Sequence, residues 1–392
     1  MSVNRLLVVD DDEDMGEAVS ELGRRAGYET VHITDPVEAK RRVAEWAPSV
    51  IVTDLQMPNI DGVALLRLLA SEGANAQIVI VSGMDRKLLE MAGNLAKQRG
   101  LKIAGTFTKP FANAELSACL EQLKQHGPVI ATDIAQALRR DEITVFFQAK
   151  CDLATGRPLG AEALARWHSP ARGLVQPDDF LPLISAAGLS DVLFDKVLSD
   201  AVAAAAGYRK LGLVDDSFHI AVNMTAENLV NLSMPDRVRA ICEQHGWPEQ
   251  RLTLELTETS SMDESFDVMD VLARLRIMNF NLSVDDFGTG FSSLLRLRQL
   301  PFTEIKIDKS FTSQILTSRD SAVIVKTILS MADSLGLYPI AEGVENQAIA
   351  SELRSMGCKT GQGYHFSKPL NVGDFASWLA TATASQPLKL AL

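Results

Sequence analysis

Cysteine is scarce. The chain of 392 residues has four, Cys119, Cys151, Cys242 and Cys358, far apart and with no CxxC pair. That spacing argues against a disulfide framework or a cysteine-held zinc and fits a reducing compartment. Long apolar runs are missing too. No uninterrupted stretch of 18 apolar residues occurs, so no membrane-spanning helix is expected. The amino terminus carries an acidic run from Asp10 to Asp14 where a signal peptide would have basic residues and an apolar core, so no signal peptide is expected. A cytoplasmic location is the expectation. Positive charge is in deficit: 38 Lys and Arg face 50 Asp and Glu, a net charge of -12. An acidic surface attracts neither nucleic acid nor an anionic membrane, so binding to DNA or to a membrane is not expected. Carboxylates gathered to hold cations would also produce such an excess.

What remains is an ordinary globular composition, 46% hydrophobic and 22% charged, with length enough for two domains. Residues 1–125 alternate short apolar runs with helical stretches. The runs lie at 6–9, 50–53, 78–81 and 103–107, with a weaker one at 30–33; residues 15–26 and 63–69 carry apolar residues at helical spacing. This pattern predicts a parallel sheet covered on both faces, an α/β doubly wound, flavodoxin-like domain. Gly127-Pro128 breaks the pattern, and residues 126–140 read as a short, partly helical linker. Residues 141–392 hold eight strand-like runs, near 145–148, 160–166, 220–223, 252–256, 282–285, 304–307, 339–342 and 361–366. Helical stretches separate most of them, which predicts a (β/α)8 TIM-like barrel.

Polar residues mark the strand ends in both blocks. In the first, Asp10 and Asp11 end one strand, Asp54 another, Ser82 and Lys109 two more. Three carboxylates at such a crevice would hold one Mg2+, and the Lys109 ammonium would offset charge on a phosphoryl group at Asp54. Asp12 reads as a helix cap. In the second block Gln148, Asn223, Glu255, Asp285, Lys306, Glu342 and Gln362 stand at or near run ends, and Glu162 lies within the second run. Barrel sites are built at the C-terminal ends of strands, and carboxylates converging there repel unless cations bind. Asp285-Asp286, Glu162, Asn223, Glu255 and Glu342 supply hard oxygen donors for two ions of Mg2+ or Mn2+, with Asp285 as the bridge. No histidine stands at these positions, which disfavours zinc. Ca2+, larger and less rigid in its geometry, is expected to inhibit. Lys306 lies between two isoleucines and should point into the site, to orient or deprotonate a water or to pair with a carboxylate. Arg166 suits a phosphate or a barrel acid.

The segments VVDDDED (8–14), TDLQMPNIDG (53–62), IVSG (80–83) and TKPF (108–111) resemble the response-regulator receiver family over residues 5–124. The resemblance implies that Asp54 accepts a phosphoryl group, that Asp10 and Asp11 help hold Mg2+, and that Ser82 and Lys109 sense the modification. It also implies a partner, a sensor histidine kinase. Many receivers carry an aromatic residue three positions before the lysine; here that residue is Thr106, and Phe107 should face the other side of the strand.

GAEALARW (160–167), AVNMT (221–225), LELTE (254–258), VDDFGTGFSSL (284–294), IKIDKSF (305–311), IAEGVE (340–345) and GQGYHFSKP (361–369) resemble the EAL-domain cyclic di-GMP phosphodiesterases over residues 131–381. The resemblance implies metal binding at Glu162, Asn223, Glu255, Asp285, Asp286 and Glu342. Catalysis would involve Glu162, Lys306, Glu342, Asp285 and Asp286. Substrate contacts fall to Gln148, Leu164, Arg166 and Gln362, and Lys306 and Gln362 would orient the attacking water or stand behind the ligands. A regulatory loop region comprises Glu258, Gly288, Gly290, Ser292 and Glu345, Glu258 anchoring the glycine-containing loop. Ala149 replaces a frequent proline and Phe291 a frequent tyrosine; neither is a ligand. The expected activity is hydrolysis of cyclic di-GMP to linear pGpG, regulated by receiver phosphorylation, in a homo-oligomer (dimer or tetramer). The alternative is a catalytically silent cyclic di-GMP receptor acting through protein contacts, which a missing ligand would favour. No helix-turn-helix block follows the barrel, and no GG[DE]EF-like run occurs, so a DNA-binding regulator and a synthase fusion are not expected.

Overall fold

The computed structural model describes residues 4–57, 62–71, 76–84, 86–126, 131–170, 172–258, 265–289 and 294–384. The chain divides into two compact units, Met1–Val129 and Ile130–Leu392.

In the first unit β1 (Arg5–Val9), α1 (Glu13–Arg25), β2 (Glu29–Ile33), α2 (Pro36–Trp46), β3 (Val50–Asp54), α3 (Gly62–Ser71), β4 (Gln77–Ser82), α4 (Arg86–Gln98), β5 (Lys102–Thr108) and α5 (Asn113–His126) alternate. The strands pair in parallel in the order β2-β1-β3-β4-β5. The strand sequences are apolar at successive positions because both faces are covered. Leu7, Val9, Ile51, Ile78 and Ile80 pack on one face with Leu65, Leu66 and Leu69 of α3. Leu6, Val8, Val50, Val52, Val79 and Val81 pack on the other with Leu22 of α1 and Leu116 of α5. Each such side chain contributes roughly 1.5–3 kcal/mol by leaving water. Asp12 caps α1, its Oδ1 accepting from the amides of Asp14 and Met15. The sheet order reverses at β1 and β3, so the polar residues ending these strands meet in one crevice.

The second unit contains α6 (Ala131–Arg139), β6 (Ile143–Asp152), β7 (Pro158–Ser169), β8 (Gly173–Val175), α7 (Pro177–Ala186), α8 (Ser190–Lys210), β9 (His219–Met224), α9 (Ala226–Leu229), α10 (Met234–His245), β10 (Leu252–Thr257), α11 (Phe266–Ile277), β11 (Asn281–Phe287), α12 (Leu294–Gln299), β12 (Glu304–Ile307), α13 (Lys309–Thr312), α14 (Arg319–Leu335), β13 (Tyr338–Ala341), α15 (Gln347–Ser355), β14 (Thr360–Gln362), β15 (Leu370–Asn371) and α16 (Val372–Ala384). Eight strands close into a barrel in the order β6-β14-β13-β12-β11-β10-β9-β7, with β6 pairing back onto β7. Seven run parallel, from β7 through β9 to β14. The eighth, β6, is antiparallel to both neighbours. The barrel is therefore not eight identical repeats. Only residues 153–157 separate β6 from β7, too few for the crossover that parallel strands need. Gln148 consequently lies inside a long strand and not at its end.

Helix α6, within the segment read as linker, belongs to the second unit. Ile134 and Ala137 are fully buried, and Asp133 pairs with Arg172 at 3.2 Å. The barrel strands alternate with period two although nearly every residue is buried. Leu252, Leu254 and Leu256 of β10 leave Thr253 and Glu255 for the opposite face; Ile305 and Ile307 of β12 flank Lys306. A strand whose polar positions are buried as deeply as its apolar ones must enclose a polar interior.

Candidate active site in the barrel and phosphoryl crevice in the sheet

Lys306 is the centre of the barrel site. It is 1% exposed, and its Nζ lies 2.7 Å from Glu342 Oε1, 2.8 Å from Glu255 Oε2, 2.9 Å from Asp285 Oδ1 and 3.2 Å from Glu162 Oε2. Three strands and the residue just past a fourth, Glu342 after β13, thus deliver four carboxylates to one ammonium. Two amides orient Glu162: Asn223 Nδ2 donates to its Oε1 at 2.7 Å, and Gln362 Nε2 to its Oε2 at 2.7 Å. Gln362 also donates to Gln148 Oε1 at 3.1 Å. Gln148 and Glu162 are direct partners across β6 and β7, as are Phe146 with Leu164 and Thr144 with Arg166. Gln148, Glu162, Leu164 and Arg166 therefore share one face. The Arg166 guanidinium lies 6.0 Å from the Phe146 ring and donates to the Ala165 carbonyl at 2.8 Å.

The surroundings drive these acids apart. Burial pushes Glu162 up, but Lys306, Lys150 and the two amides outweigh it and bring it down to about 2. Burial wins at Glu255, pushed up to about 7 despite Lys150 and Lys306. It wins at Glu342, pushed up to about 8 against the pull of Lys306. Asp286 rises to about 6 through burial and its neighbours Asp285 and Asp308. Burial lowers Lys306, yet the four carboxylates raise it well above its ordinary value.

Two carboxylate clusters overlap at Asp285. Ligand atoms of Glu162, Glu255 and Asp285 lie within 4.8 Å of one another, and so do those of Asp285, Asp286 and Glu342. Asp286 adopts φ 54°, a left-handed conformation uncommon for a residue with a side chain. This turn brings two successive residues of one strand into the same cluster. Behind it Glu258 Oε2 accepts from the Gly288 amide at 3.0 Å, and the Glu258 amide donates to the Asp285 carbonyl. Gly288 has φ 103°, and a Cβ there would come within 2.9 Å of the Phe311 ring. Glu345 is exposed. Gly290 and Ser292 lie outside the described residues.

The sequence reading passed over two buried groups. Asp308, 7% exposed, stands beside Asp286 and caps α13 through the Ser310 amide. Lys150, 5% exposed, reaches Glu255 Oε1 at 2.6 Å and Glu304 Oε1 at 3.3 Å. Both follow a recognised residue by two positions, Lys306 and Gln148, and the period of a strand was the available signal.

In the first unit Lys109 Nζ lies 2.7 Å from Asp54 Oδ2 and 2.9 Å from Asp10 Oδ2. Asp10, Asp11 and Asp54 form a third carboxylate cluster, with Asp10 and Asp54 buried and Asp11 exposed. Burial pushes the Asp10 carboxyl up, against the pull of Lys109. Burial also pulls Lys109 down, but its hydrogen bonds to Asp54 and Asp10 leave it raised. Ser82 is fully buried; its Oγ accepts from the Met84 amide, and its carbonyl from the Lys109 amide at 2.8 Å. Thr106 is exposed, while Phe107 packs on the opposite face beside Phe111.

Comparison with known proteins gives the same two parts. The family described as "EAL domain" matches residues 131–369, and "Response regulator receiver domain" matches residues 6–121. Cyclic di-GMP phosphodiesterase RocR of Pseudomonas aeruginosa is 30% identical over 333 residues, 82% of this chain and 84% of that protein. Cyclic di-GMP phosphodiesterase NbdA of the same organism is 40% identical over 248 residues, 63% of this chain and 31% of its own length. Among solved structures, the PaMucR phosphodiesterase in complex with c-di-GMP aligns with a TM-score of 0.59 and 34% identity, covering 62% of this chain and 98% of that one. With its carboxylate-lined barrel preceded by a receiver domain, the chain belongs to the EAL domain family.

Proposed function

We propose that the chain hydrolyses cyclic di-GMP to linear pGpG at the mouth of its barrel with two Mg2+ or Mn2+ ions, and that phosphorylation of Asp54 sets the rate. One observation carries the reading: Asp285 belongs to both carboxylate clusters, the arrangement expected of a carboxylate bridging two cations. The donors are hard oxygens, joined by the Asn223 amide, and suit Mg2+ or Mn2+ better than zinc. Four carboxylates crowd around the Lys306 ammonium, and divalent cations would offset their mutual repulsion. When bound, such cations stabilise charge on a phosphodiester and lower the pKa of water.

The chain's own residues bind and orient. Lys306, held protonated among its carboxylates, favours an orienting role over the deprotonation of water. Gln362 and Asn223 hold Glu162 from two sides. Arg166 shares the face of Gln148 and Leu164, where it can meet a substrate phosphate. Glu258 anchors the backbone that follows Asp285 and Asp286. The named activity of RocR and NbdA and the ligand in the PaMucR structure support the substrate. The direct test is incubation of the full chain with cyclic di-GMP and Mg2+, followed by chromatography. Release of pGpG is expected; tight binding with no product would favour the silent receptor.

Asp10, Asp11, Asp54, Ser82 and Lys109 support phosphoryl transfer to Asp54 from a sensor histidine kinase. A phosphoryl group would add roughly 1.5 to 2 negative charges where Lys109 now pairs with the carboxylate. A homo-oligomer, dimer or tetramer, is the assembly in which we expect this control to act.

A further inference from the structure

Lys150 has no part in the mechanism above, yet it is among the most deeply buried charges in the molecule. Because β6 runs against the other barrel strands, the residue two beyond Gln148 lies deeper than Gln148, opposite Gly160 of β7 and not above the mouth. A buried ammonium is costly unless carboxylates face it, and Lys150 faces two. Its Nζ is 2.6 Å from Glu255 Oε1 and 3.3 Å from Glu304 Oε1. The other oxygen of Glu255 accepts from Lys306 at 2.8 Å. Acid and base thus alternate from Glu304 through Lys150 and Glu255 to Lys306. Glu304 begins its strand, as do His219 and Asn281, and these residues line a cavity of about 410 Å3 with Lys150, at the end of the barrel away from the site.

We propose that Lys150 is a positioning residue for the metal site: it grips Glu255 by Oε1, so that Oε2 is held toward Lys306, Glu162 and Asp285 in the arrangement a cation needs. The terminal torsion of a glutamate is broad. With Lys306 as its only partner Glu255 could swing about that torsion; an ammonium on the far side removes the freedom. Glu304 does the same for Lys150. Partners behind a metal ligand commonly change metal affinity or activity by about 10- to 100-fold when removed.

The proposal rests on the two-cation reading, and its test separates the two. Mn2+ binding to the full chain, in a background of Asp11→Asn and Asp54→Asn that disables the receiver cluster, followed by the electron paramagnetic resonance of the free ion, needs no turnover. If that chain binds no Mn2+, the two-cation reading fails and this proposal with it. If it binds, Lys150→Met is expected to raise the Mn2+ midpoint about tenfold and to lower kcat by about 10- to 100-fold, with KM for cyclic di-GMP nearly unchanged. Lys150→Arg should recover part of both, and Glu304→Gln should show a smaller shift in the same direction. A folded Lys150→Met protein with the wild-type midpoint and kcat overturns the proposal. A role confined to barrel stability would lower Tm and leave the midpoint alone, which also overturns it. If Lys150→Met does not melt cooperatively, Lys150→Arg and Lys150→Gln decide. A shift in the glutamine variant greater than in the arginine variant supports the proposal, and equality of both with wild type ends it.

Discussion

The two units use the same components and leave them in different surroundings. Each places a lysine among carboxylates at the ends of parallel strands. In the sheet, Lys109 is 19% exposed and pairs with two acids; in the barrel, Lys306 is 1% exposed and pairs with four. A crevice open at one side suits a group that must arrive and leave, such as a phosphoryl group on Asp54. A closed ring of side chains suits ions that stay while substrates exchange. Closure also explains the electrostatics. In the sheet burial raises Asp10 against the pull of Lys109, whereas in the barrel Glu255 and Glu342 are pushed up to about 7 and 8 while Glu162 falls to about 2.

The sharpest way to break this comparison is Glu162→Ala. It removes a carboxylate held by Lys306, Asn223 and Gln362, and turnover should fall by about a hundredfold or more. Acceptance of a phosphoryl group by Asp54 from a small phosphodonor should be unaffected. Wild-type turnover at saturating Mg2+ would remove the assignment of the site. Replacing Mg2+ by Ca2+ should cost at least about tenfold, because the larger ion takes more ligands in looser geometry. Equal steady-state rates with the two ions would mean that the site does not depend on tight coordination.

Coupling between the units is the next smaller effect. A beryllofluoride mimic at Asp54 should change turnover within the lower half of a roughly 5- to 150-fold range, and Asp54→Asn should abolish the response. The modest size follows from Thr106, which is exposed where many receivers carry an aromatic, while Phe107 packs on the other face. Mimic binding with no change in kcat, KM or oligomeric state would leave the receiver without a switching role.

The smallest effect is thermal. Glu255 and Glu342 sit at about 7 and 8 in the folded chain against an ordinary 4.5. Between those values the folded chain retains protons that the unfolded chain has released. The stability from this difference is complete below 4.5 and is lost as pH rises through about 7 and 8. Glu162 acts oppositely, but only as pH falls from 4.5 toward 2. Metal-free protein should therefore lose about 2–4 °C in Tm between mildly acidic and mildly basic buffer. Glu342→Gln should lose less, and a calorimetric comparison of the two checks it.

Much of this was legible in the residues. The run Leu6 to Val9 before Asp10 and Asp11, apolar at every position, announced a strand covered on both faces. Lys306 between Ile305 and Ile307 announced an inward lysine, and it is one. Asp12 was legible as a cap because capping is a local event. Lys150 was missed, although the strand period from Gln148 pointed to it. The run 145–148 ended the strand too early, and a strand read as parallel would carry Lys150 out of the mouth. Asp308 was missed for a related reason, since its relation to Asp286 depends on a left-handed turn at Asp286.

By itself the sequence determined the donors, their chemical hardness and the period that turns every second residue of a strand to one side. These are properties of single side chains and of short stretches of backbone. The tertiary structure alone decided that β6 runs downward, that residues as far apart as Glu162 and Lys306 share a hydrogen bond, and that Glu255 is gripped at both oxygens. Such contacts follow from closure of the barrel. Closure is set by the pairing of the first strand with the last, a relation between distant segments that no local window contains.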